Sequence, residues 1–187
     1  MAYPTFASGD VLNASDMNAV GLWLINETIV TGGTATSISF NNVFSSSYAN
    51  YHILLDNFYS ASGNVGVNLR MRVGGADATG ANYNSIQQGL TIAAGASNFT
   101  GAAATTASAG LYNSSNSLGL SSAKWNVFAP NLAERTYAQI QSIMYDSAWI
   151  SRHGMWQHDL ATAYDGFTLI CTGNITSIRV RIYGYKD

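Results

Sequence analysis

The sequence predicts an all-β protein, an antiparallel β-sandwich of jelly-roll-like type behind a short N-terminal arm. Three observations predict it. Short segments rich in Val, Ile, Thr, Tyr and Phe recur along the chain, bounded by Gly, Asn and Ser turns. Two of them, Val65 to Val73 and Ile178 to Tyr185, alternate strictly, as a strand does with one face on a core and one on water. Only one stretch, near the N-terminus, reads as helical turns.

That stretch comes first. Asn13 or Ser15 is a suitable N-cap, and Asp16-Met17-Asn18-Ala19-Val20 suits one or two turns before Gly21. A helix so short orders only by packing on something else, so residues 1–25 are expected to be an attachment arm and 26–187 the sandwich. Leu22-Trp23-Leu24-Ile25 reads as the first buried strand. Thr28-Ile29-Val30 is expected to end at Thr31-Gly32-Gly33, and Ser37-Ile38-Ser39-Phe40 at Asn41-Asn42. Tyr51 to Leu55 has the near-continuous apolar character of a central strand, and Gly74-Gly75 closes Val65 to Val73. Residues 89–123 are rich in Gly, Ala, Ser, Thr and Asn, and read either as a long loop or as small-residue strands packed on another chain. Strands resume at Trp125 to Phe128, Arg135 to Tyr145, Phe167 to Cys171 and Ile178 to Tyr185.

Composition narrows the function. The 187 residues carry ten acidic and eight basic side chains, a formal charge of -2, and charged residues make up 10% of the chain. Two lysines, Lys124 and Lys186, cannot build the basic track that nucleic acid needs. Hydrophobic residues at 47% argue against disorder, and no apolar run has the length of a membrane span. No charged segment leads into an apolar core at the start, so no secretory signal is expected. The single cysteine, Cys171, excludes an internal disulfide and a cysteine metal cluster.

Chemical motifs are few. His153 and His158 are five apart in what reads as a loop, which gives no ligand geometry for a metal. No G-x-S-x-G elbow occurs, and no Gly-rich phosphate loop opens a helix. Glu27 and Glu134 are the only glutamates, and Asp56, Asp146 and Asp165 lie at apparent strand ends, so a paired-carboxylate glycosidase site is not evident. No catalytic residue, metal or cofactor is expected. The positive feature is the aromatic share, 12%. Trp149, Trp156 and Tyr164 lie among Ser, His, Gln and Asp. Three roles fit them: core packing, a subunit contact, or a receptor contact. Arg70, Arg72, Arg179 and Arg181 fall on the non-core faces of their strands, where solvation or a cationic stripe are the alternatives.

The segment FASGDVLNASDMNAVGLWLI resembles the opening of bacteriophage tail-fibre and tail-tip domains. There a Phe or Trp precedes Gly-Asp/Thr-Val-Leu, then Thr/Asn-Ala-Ser/Ala, then Asn. The matching residues are Phe6, Gly9, Asp10, Val11, Leu12, Asn13, Ala14, Ser15, Met17 and Asn18. The closing stretch GNITSIRVRIYGYKD, with its Tyr-Gly-Tyr, is similar to the last strand of such domains. Together the two blocks cover about a fifth of the chain. The chain departs from long fibres in lacking Gly-X-Y repeats, heptads and His-X-His pairs, which favours a compact appendage or decoration over a long fibre.

The resemblance implies a non-enzymatic structural protein of the virion, assembled in the host cytoplasm as a homotrimer. Phe6, Val11, Leu12 and Met17 would dock the arm on another virion protein of the tail. Trp149, Trp156 and Tyr164 would contact neighbouring subunits or a host surface glycan or receptor. The alternatives are a head decoration, cement or head-fibre protein on the capsid, and a polysaccharide-degrading tailspike. No nucleic acid or membrane partner is expected.

Overall fold

The computed structural model describes residues 8–9, 21–92, 95–113, 121–146 and 148–186. The arm residues Phe6, Val11, Leu12 and Met17, and the expected helical turns, lie outside them. Within the described residues the chain is all-β, with eleven strands in one hydrogen-bonded sheet folded around a common core. These are β1 (Gly21–Phe40), β2 (Asn50–Tyr59), β3 (Val65–Val73), β4 (Ala76–Asp77), β5 (Tyr83–Thr91), β6 (Gly95–Ala104), β7 (Ala107–Asn113), β8 (Ser121–Phe128), β9 (Thr136–Asp146), β10 (Ala148–His158) and β11 (Gly166–Lys186).

The main path runs β4-β3-β11-β2-β8-β9-β10-β5-β6, antiparallel throughout, with β1 against β11. The longest strand organises it. Residues Gly166 to Cys171 of β11 pair with β3, while Ser177 to Tyr185 pair with β2, so one strand passes from one layer to the other. From sequence these halves read as two strands. They remain one because the intervening residues stay extended beside β1, with Ile175 fully buried. β7 pairs with β3 antiparallel and meets β9 in a single parallel bridge, Asn113 to Tyr145. Hydrogen bonding therefore returns to its start through β3, β11, β2, β8, β9 and β7, which leaves those strands few bare edges.

β1 follows β11 from Gly21–Lys186 to Phe40–Phe167. The expected break at Thr31-Gly32-Gly33 is a bulge instead: Gly32 and Gly33 have φ of 110° and 74°, and the register shifts between Thr31 and Ala35. The left-handed backbone that glycine permits absorbs the extra residues without ending the strand. Residues 21–25, assigned to the arm from sequence, are already in the sheet. They do not form a buried strand, since Leu22 and Leu24 are exposed on the outward face. The stretch 89–123 contains β6 and β7 and the start of β8, so its small residues build strands within this chain's own sheet.

Period-two burial fills the core. Tyr51, Ile53 and Leu55 of β2, Val65 to Met71 at odd positions of β3, Trp125 and Val127 of β8, Ile140 of β9 and Leu169 of β11 all point inward. Phe167 is the hub of an aromatic cluster, with Phe40 at 4.7 Å, Phe44 at 5.8 Å and Trp125 at 5.9 Å between ring centres. Trp125 Nε1 donates to Ala109 O at 2.9 Å, which satisfies its polar atom and ties β8 to β7 across the interior. Cys171 is buried as well, and burial pushes its thiol up to about 12, so it is not a nucleophile at neutral pH.

The arginines do not form a stripe. Arg72 pairs with Asp77, Arg179 with Glu27 and Arg181 with Asp56.

Candidate functional site

The face of β2, β8, β9, β10 and β5 turned away from the core is one continuous surface. Register fixes its rows, because directly opposed residues in antiparallel strands share a face. Leu90, Ser151, Ile143 and Ser122 form one row across β5, β10, β9 and β8. Gln88, His153, Gln141 and Lys124 form the next, and Leu54 of β2 continues it. Ile86, Met155, Gln139 and Asn126 form a third, ending on His52. Each row thus sets aliphatic side chains beside polar ones, with Lys124, His153 and His52 among them.

This surface leaves large apolar side chains in water. Ile143 is 57% exposed and Leu90 54%, and Ile86 and Met155 are exposed beside them. Trp149, 42% exposed, stands at one end with its ring edge-on to Tyr145 at 5.5 Å. Fully burying one such aliphatic side chain is worth about 1.5–3 kcal/mol, so a flat partner covering these rows gains several of these increments together. A depression of about 380 Å³ lies in the middle of the face, lined by Leu54, Asp56, Lys124, Gln141, Ile143 and His153 among others.

Lys124 stands within the face, and the ion pairs lie at one margin. Asp56 binds Arg181 and Glu27 binds Arg179. The Asp56 hydrogen bond holds the Arg181 guanidinium above its ordinary pKa. His52 Nδ1 and Asn126 Oδ1 are 2.8 Å apart where β2 meets β8, and Ser151 Oγ and His153 Nε2 are 3.4 Å apart on β10.

Of the three aromatics singled out from sequence, only Trp149 belongs to this surface. Trp156 and Tyr164 are 1% and 2% exposed and pack inside, so neither meets a partner directly. Trp156 sits on the inward face of β10, whereas Tyr164 reaches in from the segment before β11, its hydroxyl 3.0 Å from His158 Nδ1. The two histidines are also separated. Residues 148–158 form a strand rather than a loop, and a spacing of five turns His153 outward and His158 inward. Among the described residues no group of three His, Cys, Asp or Glu side chains is placed to hold a metal. Sequence reasoning missed Ile86, Leu90, Ile143 and Met155. Their signal was present as a second alternation within each strand, visible only once the core face is known.

The chain matches no protein-family model and no curated protein.

Proposed function

We propose that this chain is a non-enzymatic structural protein of a bacteriophage particle, a compact tail appendage that works as a homotrimer. One observation carries the reading: the outward sheet face is lined with exposed Ile, Leu, Met and Trp in rows with neutral amides. Interfaces between subunits are enriched in aromatic residues and Met and poor in Lys and Glu. A further copy of the chain is the occupant this face suits: Arg179 pairs with Glu27 and Arg181 with Asp56 at its margin, and in a three-fold ring the face meets a different patch of the next copy, where Lys124 can find an acidic partner. The virion setting and the three-fold assembly rest on the resemblance of residues 6–25 and 173–187 to tail-fibre and tail-tip domains. Residues 1–20, with Phe6, Val11, Leu12 and Met17, supply the attachment to a neighbouring virion protein. Contact with a host glycan or receptor is the outward task of the assembled appendage.

The test is the number of copies per particle, by quantitative mass spectrometry of purified virions, with incorporation of a chain lacking residues 1–20. A low copy number, with the truncated chain left out of particles, is the expected result. High copy number on tail-less heads assigns the chain to capsid decoration instead. Absence from virions overturns the reading.

A further inference from the structure

The depression in the outward face and the turn that follows β8 are complementary. Leu54, Ala123 and Ile143 give the depression apolar walls, and Lys124 stands in it beside Gln141 and His153. Residues 129–135 join β8 to β9 and hold Leu132, Ala133 and Glu134 out in water. We propose that the β8–β9 turn of one copy seats in the depression of the next, with Leu132 against Leu54 and Ile143 and the Glu134 carboxylate on the Lys124 ammonium. This contact rests on the reading of the outward face as a self-association surface, and it names the patch of the next copy that the face receives.

Charge points to this pairing. Lys124 is exposed and makes no ion pair among the described residues. Asp56, on the rim of the same depression, is held by Arg181. His153, opposite Gln141 in the β9–β10 register, has its Nε2 3.4 Å from Ser151 Oγ. The other acids are taken in the same way. Glu27 pairs with Arg179, Asp77 with Arg72 and Asp159 with Arg135, and Asp165 accepts from Gly74 N. Among the described side chains, Glu134 is the carboxylate left without a partner.

The turn is built to project. Pro130 fixes its own φ. Ala129 N donates to Ala49 O at 3.1 Å, Leu132 N to Ala129 O at 3.2 Å, and Tyr164 N to Pro130 O at 2.7 Å. These bonds tie the turn to the segments before β2 and β11, so docking orders little that is loose and loses little entropy. Leu132 is uncovered, and seating it against Leu54 and Ile143 takes apolar surface out of water on both partners. An ion pair closed off by those aliphatic groups is screened less than one at an open surface. The depression lies in the middle of the face, whereas the turn lies beyond Phe128, where β8 ends. Contact between two different patches runs head to tail, and head-to-tail contacts close into rings.

The test uses the full chain, with sedimentation equilibrium of the wild type, Lys124→Glu, Glu134→Lys and the variant carrying both changes. The wild type is expected to be a trimer. Each single change sets like charges together and should weaken association roughly tenfold or more, and the double change should restore it to within about threefold of the wild type. Leu132→Cys with Ile143→Cys is a second measurement that reverses no charge. Oxidation should link the chains into a covalent ring of three on a non-reducing gel, with the buried Cys171 uninvolved. The proposal fails if Glu134→Lys associates as the wild type does, or if the double change does not restore what Lys124→Glu loses. It fails equally if the two cysteines do not link one copy to the next, or if the chain sediments as a dimer. A monomeric wild type overturns the self-association reading and this contact together, whereas a trimer indifferent to all three charge changes removes the contact alone. Absence of the chain from virions leaves the contact standing.

Discussion

Arg72 and Asp77 form an ion pair across the β3–β4 hairpin, and Thr168 of β11 hydrogen-bonds to both. Thr168 Oγ1 donates to Asp77 Oδ1 at 2.7 Å and accepts from Arg72 Nη1 at 2.8 Å. The same guanidinium also donates to Gly75 O, in the turn, and through Nε to Asn41 Oδ1 at 2.9 Å, beyond the end of β1. One arginine thus holds the hairpin turn, the start of β11 and the end of β1 in fixed relation. Gly74 and Gly75, with φ of 58° and 80°, provide the paired left-handed residues that a two-residue hairpin turn requires.

Asp77→Ala is expected to destabilise the fold by about 1–3 kcal/mol, since it leaves a largely buried guanidinium short of its partner. Urea unfolding of Arg72→Ala, Asp77→Ala and the double variant checks this. A coupling energy near zero would mean the cluster is ordinary surface pairing.

Gly154→Ala tests the closeness of β5 and β10. A Cβ at residue 154 would lie 2.3 Å from Ile86 O and 2.7 Å from Gln87 Cα, both backbone atoms that cannot rotate away. The strands must separate locally, so the expected loss is about 1–3 kcal/mol, with the greatest change in hydrogen exchange along β5 and β10. Gly101→Ala, whose added Cβ meets nothing within 4 Å, is the control and should be close to neutral.

The fold was largely legible because alternation reports burial directly. Val65 to Val73 and Ile178 to Tyr185 are strands with the faces their pattern assigns, except that Val73, at the turn, is exposed. What sequence could not show was continuity. Gly32-Gly33 in β1 and the 172–177 region of β11 have the composition of turns, yet extended neighbours hold them in the ladder. Tertiary pairing overrides local turn preference there. The candidate site was less legible for a related reason. Trp156 and Tyr164 look like contact aromatics by composition, but which face of β10 carries Trp156 depends on register, and register is set by strands distant in sequence.

His158 makes stability depend on pH. Its ring packs edge-on against Tyr83 at 4.4 Å and Tyr164 at 5.1 Å, and burial is the main cause holding its pKa below the ordinary 6.5. The unfolded chain therefore binds a proton more readily than the folded one. The contribution is complete above about pH 6.5 and is lost as pH falls below it toward the lowered folded value. Thermal midpoints measured from pH 7.5 down to about pH 5 should fall more steeply in the wild type than in His158→Gln. Parallel curves would show that this histidine does not govern the acid limb.

The outward face is tested by charge. Leu90 and Ile143 lie on either side of Ser151 in one row, both more than half exposed, so replacing them leaves the core untouched. Leu90→Asp with Ile143→Asp is expected to shift monomer stability by no more than about 0.5 kcal/mol per site, the usual range for surface positions. Self-association is affected differently, because each copy brings two unpaired carboxylates into a surface that must lose its water. Sedimentation equilibrium should show the wild type as a trimer and the double variant as a monomer with an unchanged circular dichroism spectrum. Trp149→Ala, which removes an aromatic from the end of the face and adds no charge, should weaken association without abolishing it. A double variant that still sediments as a trimer places the contact elsewhere, and the exposed side of β1 around Leu22 and Leu24 is then the next surface to charge.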